Sequence, residues 1–81
     1  MRNLLDCLDK LHTTELGAER IRKNLGLNDE DAFEWCRTRI CDPRASIERR
    51  GKNWYVRLDD TLITVNATQC TIITAHRVDM E

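Results

Sequence analysis

The sequence predicts an α+β fold in which N-terminal helices pack on one face of a three- to four-stranded antiparallel β-meander. Apolar residues at helical spacing and helix caps occupy the chain to about residue 41. From 46 to 77, short runs rich in Trp, Tyr, Val, Ile and Thr alternate with two-residue separators, which is typical of strands joined by hairpin turns. Because helices and strands do not alternate, a doubly wound parallel sheet is disfavoured. The expected unit is a single domain over residues 1–81, with helices about 3–41 and the sheet about 46–77.

Two helices are predicted before residue 27. The first covers about 3–11, and its apolar stripe consists of Leu4, Leu5, Leu8 and Leu11. The second covers about 15–24. Thr13 or Thr14 can cap its first turn by accepting a backbone hydrogen bond. Gly26 ends it, since glycine readily adopts the left-handed conformation found after helices.

A third helix is predicted from Asn28, taken as its N-cap, to the stop at Asp42 and Pro43. The carboxylates that follow Asn28 suit the positive end of a helix dipole. Its buried stripe is expected to contain Phe33, Cys36 and Ile40, at helical spacing.

Four strands follow, over about 46–50, 53–58, 61–67 and 70–77. Period-two alternation separates a core face from an exposed face. The residues predicted to lie on the core face are Trp54, Val56, Leu58, Ile63, Val65, Ala67, Ile73 and Ala75. The residues predicted to lie on the exposed face are Tyr55, Arg57, Thr64, Asn66, Thr74 and His76. Trp54 and Tyr55 point in opposite directions, and Tyr55 is the one expected to be displayed.

Charge is segregated along the chain. Residues 37–57 carry seven basic and two acidic side chains, a local net charge of +5 in a chain whose total is −1. Such a segment suits a phosphate backbone or an acidic protein surface. The alternative is a solvated rim that the acidic flanking segments neutralise.

The expected compartment is the cytoplasm, because the start of the chain has no apolar run typical of a secretory signal. The cysteines are therefore expected to be reduced, and buried ones to act as small hydrophobes.

Cys36 and Cys41 are spaced C-x4-C, unlike the tighter pairs of zinc sites, so no metal is expected. No phosphate-binding glycine loop is present, so no cofactor is expected either. No run approaches the ~20 apolar residues that span a bilayer, so no membrane association is expected.

Several segments together resemble a small bacterial domain family of unknown function. They are LHTTELG at 11–17, RIRKNLGL at 20–27, EWCR at 34–37, GKNWYV at 51–56 and TIITAH at 71–76. The resemblance implies a fold but no catalytic residues. The order of helices before an antiparallel sheet is also similar to the small ribonuclease fold of barnase-like and interferase-type toxins. That second likeness concerns architecture only, and the chain lacks their overall basic charge.

The candidate catalytic residues are His76, Thr74 and His12. Imidazole titrates near neutral pH, so a histidine can take a proton from a ribose hydroxyl or return one to a leaving oxygen. Candidates for binding a nucleic acid or a partner are Arg49, Arg50, Lys52, Tyr55, Arg57 and Asn66. Basic side chains interleaved with an aromatic can hold a single strand by charge and by stacking. The alternative is that both histidines have local structural roles.

Two function classes remain open from the sequence. One is an RNA-binding or metal-independent ribonuclease-like domain. The other is a non-enzymatic protein-interaction module, such as a phage or mobile-element inhibitor of a host or defence protein. The implied partners are RNA or an acidic protein surface, and oligomerisation is compatible with both. The sequence leaves open whether the protein is an enzyme.

Overall fold

The computed structural model describes residues 4, 9–27 and 31–78. Two helices, α1 (Glu15–Leu25) and α2 (Ala32–Ile40), precede four strands. The strands are β1 (Ser46–Arg50), β2 (Asn53–Leu58), β3 (Thr61–Asn66) and β4 (Thr71–Arg77). They form one antiparallel sheet in the order β1-β2-β3-β4, with the helices packed against it. The predicted α+β fold is therefore confirmed, and its meander has four strands.

Local caps fix both ends of α1. The side chain of Thr14 accepts a hydrogen bond from the Gly17 amide at 3.0 Å, which satisfies one of the unpaired N–H groups of the first turn. Gly26 has φ 70° and donates its N–H to the Arg22 carbonyl. Ile21 and Leu25 are the buried residues of the helix. Both predicted caps are confirmed.

Helix α2 begins later than predicted. Its N-cap is Asp31, whose Oδ1 accepts a hydrogen bond from the Glu34 amide at 3.2 Å, so the prediction of Asn28 as the N-cap is wrong. Several consecutive polar residues here can cap a helix, and sequence alone does not choose among them. Asn28 itself lies outside the described residues. The predicted helix over 3–11 also falls mostly outside them, although Asp9 and Lys10 form part of a 3₁₀ turn.

The core lies between the helices and one face of the sheet. Its buried members from the sheet and the adjoining turn are Trp54, Val56, Leu58, Ile63, Val65, Cys70, Ile72 and Ala75. Its members from the rest of the described chain are Leu4, Leu11, Ile21, Leu25, Ala32, Cys36 and Ile40. Trp54 is 6% exposed and Tyr55 is half-buried on the other face, as the alternation predicted. No helix of the described residues is long and apolar enough to cross a membrane.

A β-bulge changes which isoleucine of β4 enters the core. Thr64 pairs with Thr74, but the next residue, Val65, pairs with Ile72, so Ile73 is the extra residue. Ile72 is 1% exposed and Ile73 is 38% exposed. The prediction that Ile73 lies in the core is wrong, because an inserted residue reverses the alternation on one side of the bulge.

The two edges of the sheet differ. At the β4 edge, the His12 amide donates to the Cys70 carbonyl at 3.1 Å, and the Ile72 amide donates to the His12 carbonyl at 2.8 Å. Thr13 Oγ1 donates to the Ile72 carbonyl at 3.0 Å. The segment before α1 therefore covers part of this edge. Strand β1 forms the opposite edge.

We predict that Ile72→Ala lowers the free energy of unfolding by about 2–5 kcal/mol, because it removes buried methylene groups and leaves a cavity. Ile73→Ala should cost less than about 1 kcal/mol, since its side chain is already partly in solvent. Urea denaturation of the two variants measures the difference. A loss at Ile73 equal to or larger than that at Ile72 would contradict the bulge.

Candidate nucleic-acid interface on the outer face of the sheet

The face of the sheet opposite the helices carries mostly polar side chains, and we call it the outer face. Cross-strand pairing aligns its residues in three rows, each running from β1 to β4. The rows are Ser46, Arg57, Leu62, His76; then Glu48, Tyr55, Thr64, Thr74; then Arg50, Asn53, Asn66, Thr71. Because α1 and α2 pack against the other face, neither helix covers this surface.

A shallow hollow of about 390 Å³ lies on the β1 side of the outer face. It is lined by Glu48, Arg50, Tyr55, Arg57 and Leu62. Three of these residues were predicted binding residues from sequence. Glu48 and Leu62 were missed, although the alternation of β1 and β3 around recognised turns places both on this face. We call this depression the outer-face hollow.

Tyr55 stands near the middle of the outer face. Its cross-strand neighbours are Glu48 on β1 and Thr64 on β3. The ring is half-buried, and Asn53 Nδ2 donates to its hydroxyl oxygen at 3.5 Å. A tyrosine held in this way on a sheet offers a rigid surface on which a planar group can stack.

The predicted basic residues divide between the two faces. Arg50 lies on the outer face and forms an ion pair with Glu48 at 3.0 Å, with both side chains largely exposed. Arg49 lies on the helix side, where its Nε donates to the Gly51 carbonyl at 2.8 Å and its guanidinium lies 5.1 Å from the Trp54 ring centre. Lys52 is exposed in the turn between β1 and β2. Arg49 therefore does not share the outer-face hollow with Arg50.

His76 lies at the β4 end of the first row. Its neighbour across the strands is Leu62, and the next residue in that row is Arg57. Two inter-strand spacings of about 4.8 Å separate the backbones of His76 and Arg57, roughly 10 Å in all. A phosphate placed above Leu62 is within reach of both side chains.

Thr74 shares the outer face with His76, but its hydroxyl already has a contact. Asn24 on α1 lies with its Nδ2 3.4 Å from Thr74 Oγ1 and 3.3 Å from the Ala75 carbonyl. Asn24 thus joins the helix to the exposed part of β4. Its role was not predicted, because nothing local in the sequence relates residue 24 to β4.

His12 lies at the other end of β4, next to Thr71. Its Nδ1 is 2.9 Å from the Lys10 carbonyl, and its Nε2 is 2.9 Å from Thr71 Oγ1. A carbonyl only accepts, so Nδ1 carries a proton and donates it to the Lys10 carbonyl. Thr71 and His76 are five residues apart along β4, about 16 Å at strand spacing. The structure therefore does not bring the two histidines together.

Asn66 is used by the turn that follows β3. Its side-chain oxygen accepts hydrogen bonds from the Thr68 amide at 3.0 Å and the Gln69 amide at 2.9 Å. The side chain orders the turn into β4 in the manner of an Asx turn. These hydrogen bonds give Asn66 a structural role. Its assignment as a binding residue stays a prediction.

Comparison with known protein families assigns this chain to one of them. The model of a family described as protein of unknown function, DUF3781, matches residues 5–76. The chain belongs to the DUF3781 family. The family description names no activity, and it confirms the expectation of a small domain family of unknown function.

Nothing matching the chain was found among curated proteins or among solved structures. For this DUF3781 member, the likeness of element order to ribonuclease toxins stays a prediction. In the described part of the chain, no three His, Cys, Asp or Glu side chains are grouped so that they could hold a metal ion.

The cysteines of this DUF3781 member have different states. Cys36 is free and buried, and Cys41 is free and exposed. Cys70 is disulfide-bonded, so the expectation of reduced thiols is wrong at this position. A disulfide requires two cysteines to be close in space, which sequence spacing does not reveal.

Burial raises the pKa of the Cys36 thiol from 9.0 to about 12, and the nearby Arg39 guanidinium opposes that rise only in part. The folded protein therefore holds Cys36 as a neutral thiol at physiological pH. A buried neutral thiol is a poor nucleophile, so Cys36 belongs to the core.

We predict that the free energy of unfolding falls as pH rises above about 9. Between pH 9 and about 12 the Cys36 thiol ionises in the unfolded chain but stays protonated in the folded one, so the unfolded state is favoured. Denaturation at pH 8 and pH 10 measures the change, with Cys36→Ala as the matched variant. The decline should be smaller in Cys36→Ala, and an equal decline in both proteins would contradict the raised pKa.

Proposed function

We propose that this DUF3781 protein binds single-stranded RNA on the outer face of its sheet. The observation that carries the proposal is the half-buried Tyr55 in the outer-face hollow, with the guanidinium groups of Arg50 and Arg57 on the same face. Single-stranded nucleic acids are held by stacking of bases on aromatic side chains and by cationic contacts to phosphates. Sheets with exposed aromatic residues are a common platform for this kind of recognition.

The charge around Tyr55 is compatible with a polyanion. Glu48 lies beside the ring and pairs with Arg50, but both partners of this ion pair are largely exposed. Exposed pairs of this kind contribute about 0–1 kcal/mol. A phosphate can therefore compete with the Glu48 carboxylate for Arg50, and Arg57 in the same hollow supplies a second cation that offsets the repulsion between the phosphate and Glu48.

Polar side chains extend the proposed surface from the hollow towards β4. Thr74 continues the row of Tyr55, and Asn53 continues the row of Arg50. Thr64 lies between Tyr55 and Thr74, but the prediction that it is exposed is wrong, because its neighbours leave it only 9% exposed. Hydroxyl and amide groups suit contacts to ribose hydroxyls and base edges. The four strands are about 14 Å across, roughly the span of four stacked nucleotides at about 3.4 Å each.

RNA cleavage is a narrower candidate, and its support is the position of His76 on the same face. Metal-independent cleavage needs a base that removes the 2′-hydroxyl proton, so that the 2′-oxygen attacks phosphorus. It also needs an acid that protonates the departing 5′-oxygen. His76 can serve in one of these steps, and Arg57 can stabilise charge on the phosphate oxygens. Because His12 lies at the far end of β4, binding is better supported than cleavage.

We predict that Tyr55→Ala weakens binding of a fluorescein-labelled single-stranded RNA by about 5- to 150-fold, the range that one lost stacking contact produces. Tyr55→Phe should bind nearly as well as the wild type, since the ring remains. Fluorescence anisotropy measures both. The proposal fails if the folded wild type does not bind RNA, or if Tyr55→Ala binds unchanged.

The dependence of RNA affinity on salt concentration tests whether a charged side chain contacts a phosphate. Arg57→Gln should reduce the slope of log affinity against log salt by about 0.7, the value for one phosphate contact on a single strand. Arg20→Gln removes an exposed arginine from α1, away from the outer face, and should leave the slope unchanged. Equal effects of the two substitutions would indicate unspecific attraction to the whole protein.

For cleavage, we predict that wild-type protein in the presence of EDTA converts RNA to products with 2′,3′-cyclic phosphates, and that His76→Ala stops this conversion while retaining RNA binding. RNA with a 2′-deoxy group at each cleaved position should resist, because the attacking hydroxyl is missing. Electrophoresis of labelled oligonucleotides measures both. If the folded wild type binds RNA but leaves it intact, the enzymatic version is excluded and the binding function stands.

A further inference from the structure

The outer edge of β1 is the part of the sheet that the RNA proposal leaves unused. At the other edge, the backbone of His12 and the side chains of Thr13 and Asn24 bond to β4. Among residues 4, 9–27 and 31–78, no segment pairs with β1 on the side away from β2. An edge of this kind presents backbone donors and acceptors that can pair with another strand.

The hairpin geometry shows which groups point outward. The two-residue turn of Gly51 and Lys52 joins β1 to β2, and Gly51 has φ 59°. A two-residue hairpin loop is closed by a hydrogen-bonded pair, here Arg50 and Asn53, and such pairs then alternate along the strands. The N–H and C=O groups of Ile47 and Arg49 are therefore directed away from β2, on the outer edge.

The side chains along this edge define the chemistry of a partner. Residues 44–52 contain four basic side chains and one acidic side chain. Arg49 flanks the edge on the helix side and Arg50 on the outer face, so an added strand has a guanidinium near each of its faces. Ile47 is half-buried and packs against the core, which favours an apolar neighbour beside it.

We propose that the outer edge of β1 binds an acidic, extended segment of another protein as a fifth strand of the sheet. Backbone hydrogen bonds from Ile47 and Arg49 supply the pairing, and carboxylates of the segment contact Arg49 and Arg50. This mode of recognition, in which an extended peptide joins a sheet edge, takes its specificity from alternating side chains. Arg50 is shared with the proposed RNA surface, but the defining contacts of this proposal are backbone groups of β1, which the RNA proposal does not use.

A second copy of the chain fits this edge less well. Two β1 edges placed side by side would each bring a net positive segment, and like charges across neighbouring strands are destabilising. Charged side chains are one of the ways in which sheet proteins prevent pairing of their own edges. The same positive charge attracts an acidic strand, so it selects the partner while it opposes self-association.

The test uses a capped seven-residue peptide with Val at its centre and Glu at the other six positions, so that both faces of the extended peptide carry carboxylates. It is titrated into the ¹⁵N-labelled full chain and followed by NMR. The expected result is a saturable shift of the Ile47 and Arg49 amide resonances, together with slower hydrogen exchange at both. The same peptide methylated on every backbone nitrogen keeps its charge but cannot donate, and it should not produce these changes. The same peptide with Lys in place of each Glu should not bind.

Two protein variants separate pairing from charge. Arg49→Pro removes one outward N–H, and Arg49→Glu keeps that N–H but reverses the charge. Each should weaken peptide binding about five-fold or more, the effect of losing about one hydrogen bond or ion contact. Arg20→Glu on α1 is the control and should bind as the wild type does. If Arg49→Pro does not fold, Arg49→Glu decides.

Three results would overturn the proposal. One is the absence of saturable shifts at Ile47 and Arg49. Another is equal binding of the N-methylated peptide, which would mean that charge attraction explains the interaction without backbone pairing. The third is a set of shifts centred on Tyr55 and His76, which would assign the peptide to the outer face. RNA binding can succeed or fail in any of these cases, so the two proposals are tested separately.

Discussion

Burial of one face of the sheet is the constraint on which the rest of this structure depends. A small domain has room for one core, and here the helices supply the apolar side chains that cover β2, β3 and β4 from a single side. Fully burying a residue such as Ile63 or Val56 contributes about 1.5–3 kcal/mol, so exchange of the two faces would be very costly. The same constraint leaves the outer face polar and accessible, which is why a candidate interface exists there.

The bulge in β4 links this core to the exposed surface. Because Ile73 is an extra residue, Ile72 turns inward and Thr71 turns to the outer face along with Thr74 and His76. Thr71 can then reach the His12 ring, and the backbone of His12 pairs with β4 on both sides of Thr71. One irregular position thus attaches the segment before α1 to the sheet edge. It also explains why His12 has a structural role at that place.

The charged and imidazole groups of the sheet are spread over both of its faces and both ends of β4. Each guanidinium of β1 belongs to a different face, since Arg49 contacts Trp54 and Arg50 contacts Glu48. The two histidines lie at opposite ends of β4, so they cannot act as acid and base on one phosphate. What remains on the outer face is an aromatic ring with cations and hydrogen-bonding groups around it, which suits recognition of an extended chain. The β1 edge offers a second kind of recognition, through the backbone.

Several features of this protein were readable from residues close together in sequence. Thr14 and Gly26 limit α1 through contacts within one helical turn, and two-residue separators fixed the limits of β1 and β2. Alternation placed Trp54 in the core and Tyr55 outside, because neighbouring strand residues point in opposite directions. Alternation also placed Tyr55, Arg57 and His76 on the face opposite the helices, where the structure has them. Their membership of a functional site stays a prediction.

Only the tertiary structure decided the features that depend on distant residues meeting. The bulge reflects how β4 fits against β3, and it reversed the predicted place of Ile73. Three features depend on distances across the fold. They are the contact of Asn24 with β4, the face of the sheet on which Arg49 lies, and the disulfide bond of Cys70. Local patterns carry the direction of a side chain within its own element, whereas register and packing are set by elements brought together through burial of the core. The sequence by itself therefore determined the strands and the face of the candidate interface, and the fold decided which of its residues lie next to one another.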